Sequence, residues 1–271
     1  MKYKLMAIDI DGTLLDSRGK IPGENLRAIA RAREAGVAVV ISSGRSALAM
    51  RGIRRELGLL GAGGFASALN GAVIMNGETL LRETRMSAGE ALPVLSRLKT
   101  FDGAAVIAYT EYDNFAVESM SEAAGLYALH TGTRALLVAS LEKAAAAPPG
   151  MLNILALGGE ELVREISRVM APCLPENVNI FRSSARLVEF TSGSATKGRS
   201  LEYIAGLLGI GRGEIIAMGD NENDVSMAET AGLFIAPANA AEVALRAAGH
   251  VTRAANGGGA VAEVIEEFVL G

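Results

Sequence analysis

The sequence predicts an α/β fold built on a parallel sheet, with a second α+β segment inserted partway along the chain. Three observations carry this. Strand-like apolar runs alternate with helical patterns at both ends of the chain. Those runs are continuously apolar rather than alternating, as in strands buried on both faces. Between residues 84 and 188 the order changes to helices followed by hairpins, which imply antiparallel pairing.

The elements follow in order. Residues 4–10 read as a buried strand. "PGENLRAIARAREAG" has helical spacing at Leu26, Ile29 and Ala30, and Gly36 suits a helix stop. "VAVVISSGR" is a strand rich in β-branched residues that ends in small polar ones. "SALAMRGIRRELGLL" then reads as helix. The uncharged stretch between Glu56 and Glu78 is long enough to span a bilayer at about 20 residues. It also holds six glycines with Asn70 and Asn76, and is read as a helix end, a loop, a buried strand at 65–69 and a turn at Asn70-Gly71. In the middle, a helix at 87–99 precedes the strands "AAVIAY" and "NFAVES". Two shorter helix–strand units follow. Then "GEELVREISRVMA" precedes "NVNIFR" and "LVEFTS". The last third returns to alternating helix and strand, with a helix at 197–208, the strand "EIIAM", a helix in "ENDVSMAETAG", the strand "LFIAP" and two further helices. The expected domains are therefore 1–83 with 189–271, and the insert 84–188.

Composition narrows the function. Of 271 residues half are hydrophobic, and 26 basic against 30 acidic side chains leave a net charge of −4. With no basic block, neither nucleic acid nor an anionic membrane is the expected partner. One cysteine, Cys173, excludes an intramolecular disulfide and fits a reducing cytoplasm. Asp9 and Asp11 interrupt the first apolar run too early for a signal peptide.

Four polar clusters stand at the expected strand ends: Asp9 with Asp11, "SSGR" at 42–45, Lys197 in "GSATKGRS", and "GDNENDVSM" at 219–227. Each alone has a bland reading as a turn, a cap or a solvated charge. Together at one sheet edge they describe chemistry, because ligands in such folds bind beyond the carboxyl ends of the strands. Asp9, Asp220 and Asp224 crowd three carboxylates, which resist full ionisation unless a cation joins them. Oxygen ligands of this kind suit Mg²⁺. The Ser43 hydroxyl, the Gly44 N–H and the Lys197 ammonium are donors for phosphoryl oxygens. A cation, anion-binding donors and a carboxylate nucleophile describe phosphoryl transfer.

These residues resemble the haloacid dehalogenase superfamily, specifically its Cof-type phosphatases. "DIDGTLL" resembles the first motif, "SSGR" the second, Lys197 the third and "GDNENDVSMAETAG" the fourth. The insert is similar to that branch's large α/β cap, and "NGAVI" at 70–74 and the tail from Asn239 also resemble it. The resemblance implies a Rossmann-like parallel core with an inserted cap. It implies Asp9 as nucleophile and Asp11 as the acid–base partner. It implies Mg²⁺ on the Asp9 and Asp220 carboxylates and the Asp11 carbonyl, with Asp224 a ligand directly or through water. Ser43, Gly44, Lys197 and Asn223 would hold the phosphate. Arg45 would reach a substrate or the cap, or sit in a surface ion pair. Two departures stand out: Ser43 replaces a common threonine, and "IAPANAAE" replaces Met-Gly-Asn-Ala after the fourth motif.

The expectation is a Mg²⁺-dependent cytoplasmic phosphatase for a small phosphate ester, a sugar phosphate or phosphoglycolate. A phosphomutase on the same core is the alternative. A receiver-type regulatory module ranks last, because such modules are much shorter and lack the role expected of Asp11. Neither the physiological substrate nor the oligomeric state follows from the sequence.

Overall fold

The computed structural model describes residues 2–271 and divides into two compact units. Its strands are β1 (Leu5–Asp9), β2 (Ala38–Ser42), β3 (Phe65–Ala68), β4 (Val73–Asn76), β5 (Thr79–Glu83), β6 (Ala105–Tyr109), β7 (Asn114–Val117), β8 (Arg134–Leu137), β9 (Asn153–Leu157), β10 (Val178–Ser184), β11 (Leu187–Ser192), β12 (Ile215–Met218), β13 (Leu233–Ala236) and β14 (His250–Val251). Its α-helices are α1 (Gly23–Glu34), α2 (Arg51–Glu56), α3 (Ala88–Leu98), α4 (Glu122–Thr131), α5 (Leu141–Ala146), α6 (Glu160–Met170), α7 (Lys197–Leu208), α8 (Val225–Thr230), α9 (Glu242–Ala247) and α10 (Ala260–Val264).

The first unit comprises the segment ending at Ser43, Arg51–Leu81 and Thr196–Gly271. Its sheet runs β14-β13-β12-β1-β2-β3-β4-β5. From β14 to β3 every pairing is parallel, and β4 turns back antiparallel on β3. β1 is central and every one of its residues is buried. On one face Leu5, Ala7, Val40, Phe65 and Ile215 meet Leu201, Ile204 and Ala205 of α7 and Met227 of α8. Met6, Ile8, Val39 and Ile41 alternate with them and are buried as well. Full burial of each large side chain is worth about 1.5–3 kcal/mol, so β1 and β2 anchor the unit. α1 packs on α10, and Asn25 joins them by accepting the Ala262 N–H at 2.9 Å. No helix among the described residues is long and apolar enough to cross a membrane. The uncharged 57–77 stretch is β3, a tight turn and β4 instead.

The second unit comprises Gly44–Met50 and Arg82–Ala195. Its sheet, β10-β11-β9-β6-β7-β8, is antiparallel except for β7 with β8. One face carries Ala108, Ala116, Ile154, Ala156, Val188 and Phe190 against α3, α5 and α6. Ser87 starts α3 with a capping box to Glu90, the reciprocal arrangement that satisfies two free helix-end donors. Glu189 is buried, and takes hydrogen bonds from Asn153 Nδ2 at 2.6 Å and from the Ser183 hydroxyl.

Two details differ from the sequence reading. The division falls at Leu81/Arg82 and Ala195/Thr196 rather than at 84 and 188, and it takes Gly44–Met50 into the second unit. The physical reason at the far end is register: Ser192 pairs with Val178, and the Gly193 N–H donates to Asn177 O at 2.7 Å, which keeps 189–193 with the insert. The helix expected over 46–60 is only α2. Ser46 Oγ accepts the Ala49 N–H at 3.2 Å in a turn of its own, and Gly58 ends the helix in the left-handed region at φ 69°.

Candidate active site

β1, β2 and β12 run parallel, so Asp9, the residues after Ser42 and the residues after Met218 leave the sheet at one edge. Asp9 is the last residue of β1 and is 4% exposed. Beyond it the chain turns tightly through 10–14, with Ile10 buried in the core and Asp11 exposed. Gly12 sits at φ 87°, where a Cβ would lie 2.3 Å from Asp220 Oδ2. Only glycine allows this approach. Thr13 then donates its hydroxyl to Asp220 Oδ1 at 3.1 Å.

Lys197 opens α7, whose N-cap Thr196 accepts the Arg199 N–H at 3.1 Å. The Lys197 side chain is buried, and its Nζ donates to Asp9 Oδ1 and to Asp224 Oδ1, both at 2.6 Å. Asp224 Oδ2 accepts the backbone N–H groups of Asp220 and Asn221, both at 3.0 Å. Both Asp224 oxygens are thus engaged by the protein. Asp9 differs: its Oδ2 is buried and has no hydrogen-bond partner among the described residues.

The charges do not balance. Burial raises the Asp9 pKa well above the usual carboxylate range; Asp224 and Asp220 add to this, and Lys197 opposes it. Burial first, then Asp224, pushes Asp220 up to about 6. For Lys197 burial works against the ammonium, but Asp224 and Asp9 outweigh it, and its pKa rises. One cation therefore serves three carboxylates, with a buried carboxylate oxygen left unpaired. An unsatisfied buried neutral acceptor alone costs about 1–3 kcal/mol, and a charged one more.

A divalent cation fits this deficit. One carboxylate oxygen each of Asp9, Asp220 and Asp224 lies within 4.8 Å of the others. Octahedral Mg²⁺ holds oxygens at about 2.0–2.1 Å, so opposite ligands are about 4.2 Å apart. The donor set is all oxygen, as a hard cation requires. A second group, His250 with Glu263 and Glu267, is similarly close. There the Glu263 oxygens are occupied by the Arg253 and Ala254 N–H groups and the Arg253 side chain, and His250 stacks edge-on against Phe268 at 5.0 Å.

The remaining expected residues are placed as follows. Ser43 follows β2 directly and is 2% exposed. Gly44 and Arg45 belong to the second unit. Asn223 lies in the turn before α8 and donates its Nδ2 to Asn70 Oδ1 at 2.9 Å. The "IAPANAAE" loop keeps a hold on this edge despite Pro237. Asn239 Nδ2 donates to Gly12 O, and the Ala241 N–H to Asp220 O, both at 2.8 Å. Sequence reasoning missed Thr13, Asn70 and Asn239. All three stand inside quoted motifs, which was a signal, but nothing in the chain order marked Asn239 as reaching Gly12.

Comparison with known proteins identifies the family. A family model for haloacid dehalogenase-like hydrolases matches residues 6–265. The phosphatase YwpJ of Bacillus subtilis is 30% identical, with 88% of this chain and 90% of that protein aligned. The 5-amino-6-(5-phospho-D-ribitylamino)uracil phosphatase YwtE of the same organism is 28% identical over 99% of both chains. A haloacid dehalogenase-like hydrolase from Bacteroides thetaiotaomicron superposes with a TM-score of 0.82 at 28% identity, covering 98% of this chain and 99% of that one. The chain belongs to the haloacid dehalogenase-like hydrolases, in their Cof-type branch, and is a phosphoric monoester hydrolase.

Proposed function

We propose that the protein is a Mg²⁺-dependent phosphatase that hydrolyses a small soluble phosphomonoester through a phosphorylated Asp9. The observation that carries this is the Asp9 carboxylate: Lys197 holds Oδ1 at 2.6 Å, while Oδ2 is buried without a partner among the described residues. A structural carboxylate at such a cost would be paired on both oxygens. Bound beside Asp9 and Asp220, Mg²⁺ supplies positive charge to the carboxylates and to the phosphoryl oxygens.

In the first step an Asp9 oxygen forms a bond to phosphorus as the ester P–O bond breaks. Asp11 gives its proton to the leaving oxygen. In the second, Asp11 takes a proton from water, whose oxygen bonds to phosphorus as the bond to Asp9 breaks. Inorganic phosphate leaves and Asp9 is restored. Lys197, Ser43 and Asn223 hold the phosphoryl oxygens, together with the Gly44 N–H that follows Ser43 in the chain. Lys197 thereby stays protonated throughout, which its two carboxylate neighbours favour. Selection of the substrate is assigned to the second unit, with Arg45, which belongs to it, as the residue for the non-phosphate part. Sugar phosphates, polyol phosphates of the kind that the name of YwtE specifies, and phosphoglycolate are the substrate classes in view. The reaction belongs to the cytoplasm.

The test is phosphate release across a panel of these esters with Mg²⁺, then with EDTA. Release that EDTA abolishes and Mg²⁺ restores supports the reading. Conversion of one sugar phosphate into another without release makes the enzyme a phosphomutase. Asp11→Asn should slow turnover by about 10²–10⁴-fold. Asp220→Ala should raise the Mg²⁺ requirement more than Asp224→Ala, because the Asp224 oxygens already serve Lys197 and two backbone donors. The reverse order sinks the ligand assignment.

A further inference from the structure

The turn between β3 and β4 is held in a conformation its residues disfavour. Leu69 (φ 49°) and Asn70 (φ 54°) are both left-handed, and both are fully buried. Asparagine tolerates that region, but a bulky side chain there is an outlier that its surroundings must impose. Three contacts impose it. The Asn70 N–H donates to the Ser43 carbonyl at 3.0 Å. Asn223 Nδ2 donates to Asn70 Oδ1 at 2.9 Å. Gly71, at φ 97°, packs so close to the start of α7 that a Cβ would lie 2.2 Å from the carbonyl oxygen of Thr196, the residue before Lys197. One turn therefore bears on Ser43, Asn223 and the backbone beside Lys197, three groups that leave the sheet from different segments of the chain.

The choice of asparagine is informative. Glycine at 70 would relax the backbone at no steric cost. Asparagine instead brings a buried amide whose Nδ2 has no partner among the described residues. Its Oδ1 is what the site uses, as the acceptor that fixes the Asn223 amide. An amide nitrogen carries two hydrogens. With one given to Asn70, the plane of the Asn223 amide is set and the other hydrogen has a defined direction.

We propose that Asn70 is a positioning residue of the phosphate site. Through its N–H it sets the Ser43 loop, and through Oδ1 it orients Asn223 so that the second Nδ2 hydrogen meets a phosphoryl oxygen. This rests on the reading above in which Ser43, Asn223 and Lys197 hold the phosphate. Asn70 touches no reacting atom; it acts through Asn223.

The experiment is a double-mutant cycle of Asn70→Gly with Asn223→Ala, read by inhibition with inorganic phosphate and by kcat/KM on an aryl phosphate. Asn70→Gly keeps the left-handed backbone and the N–H, and removes the side-chain amide with its acceptor; the Nδ2 lost with it has no partner among the described residues. It should weaken phosphate inhibition and lower kcat/KM by about 10–100-fold, since small misplacements of binding groups carry penalties of that order. Its melting temperature should not fall. In the Asn223→Ala background the same change should cost less than about 2-fold, the limit of non-interacting residues' scatter. Full additivity overturns the proposal. Asn70→Ala also keeps the N–H and removes the acceptor, and it carries the same cycle if Asn70→Gly does not fold: its loss should shrink to less than about 2-fold in the Asn223→Ala background, and an unchanged loss there overturns the proposal. Weakened binding in Asn223→Ala with none in Asn70→Gly removes the inference alone. Unchanged binding in Asn223→Ala removes the phosphate-site reading and the inference with it.

Discussion

Two cationic side chains lie buried in the first unit, Lys197 at 1% and Arg54 at 2% exposure, and their surroundings are opposites. Arg54 has neutral partners: its Nη2 donates to the carbonyls of Leu59 at 3.2 Å, Gly64 at 3.3 Å and Gly77. Burial lowers its pKa, with only Glu78 opposing. Arg54 thus ties together loop segments before β3 and after β4; its Nε is also buried without a partner among the described residues, but no excess of charge gathers around it. Lys197 stands among Asp9, Asp224 and Asp220, and the acidic side is in excess. The charge of Arg54 is held by carbonyl dipoles, whereas on the reading proposed above the carboxylate excess around Lys197 is what a cation and a substrate would complete. Buried pairs offset their desolvation only when geometry and further hydrogen bonds are complete, and the unpartnered Asp9 Oδ2 shows that here they are not.

The largest break in this comparison is Asp9→Asn. It should abolish turnover, by at least about 10⁴-fold. Because the Asp9 pKa is raised, its ionised form is disfavoured in the fold, so the neutral isostere should melt at the same temperature or higher without metal. Next is Lys197→Met, which leaves three carboxylates with no cation. Unfolding by denaturant in EDTA should show a loss of about 3–5 kcal/mol, and saturating Mg²⁺ should recover part of it. Arg54→Met should cost about 1–3 kcal/mol for its stranded carbonyls. That loss should be indifferent to Mg²⁺, and the folded variant should keep its kcat. A Mg²⁺-sensitive Arg54 variant would erase the distinction.

The smallest expected effect lies in the second unit. Lys99 donates to Glu142 at 2.5 Å and holds its carboxyl down to about 2. A lowered folded pKa contributes stability that is present above the unfolded value of 4.5 and is lost as pH falls from there towards about 2. The two side chains are 49% and 28% exposed, so solvent screening limits the pair to about 0.2–1 kcal/mol. Glu142→Gln should flatten the acid limb of the stability profile by that amount, and less so in high salt.

Much of the fold could be read because its signals are local. β1 and β2 are continuous apolar runs that end in polar residues, β12 is one that leads into Gly219-Asp220, and α7 spans Lys197–Leu208 behind a threonine cap. Parallel strands deliver their carboxyl ends to one edge, so Asp9, Asp220, Asp224 and Lys197 could be expected together before any coordinates. What escaped depends on partners distant in the chain. The stretch 46–60 has helical spacing, yet Gly58 and the capture of the Leu59 carbonyl by Arg54 stop α2 early. No local pattern places 44–50 with the second unit. Asn70 reads as a turn residue, and its bond to Asn223 joins positions 153 residues apart. Thr13 and Asp220 are linked in the same way.

The most direct measurement is acid quench during turnover of an aryl phosphate with Mg²⁺, followed by mass analysis of the peptide that contains Asp9. The account predicts a phosphoryl group on Asp9 in the wild type, none in Asp9→Asn, and none when EDTA replaces Mg²⁺. A phosphoryl group on a different residue, or Mg²⁺-dependent release that persists in Asp9→Asn, would contradict it.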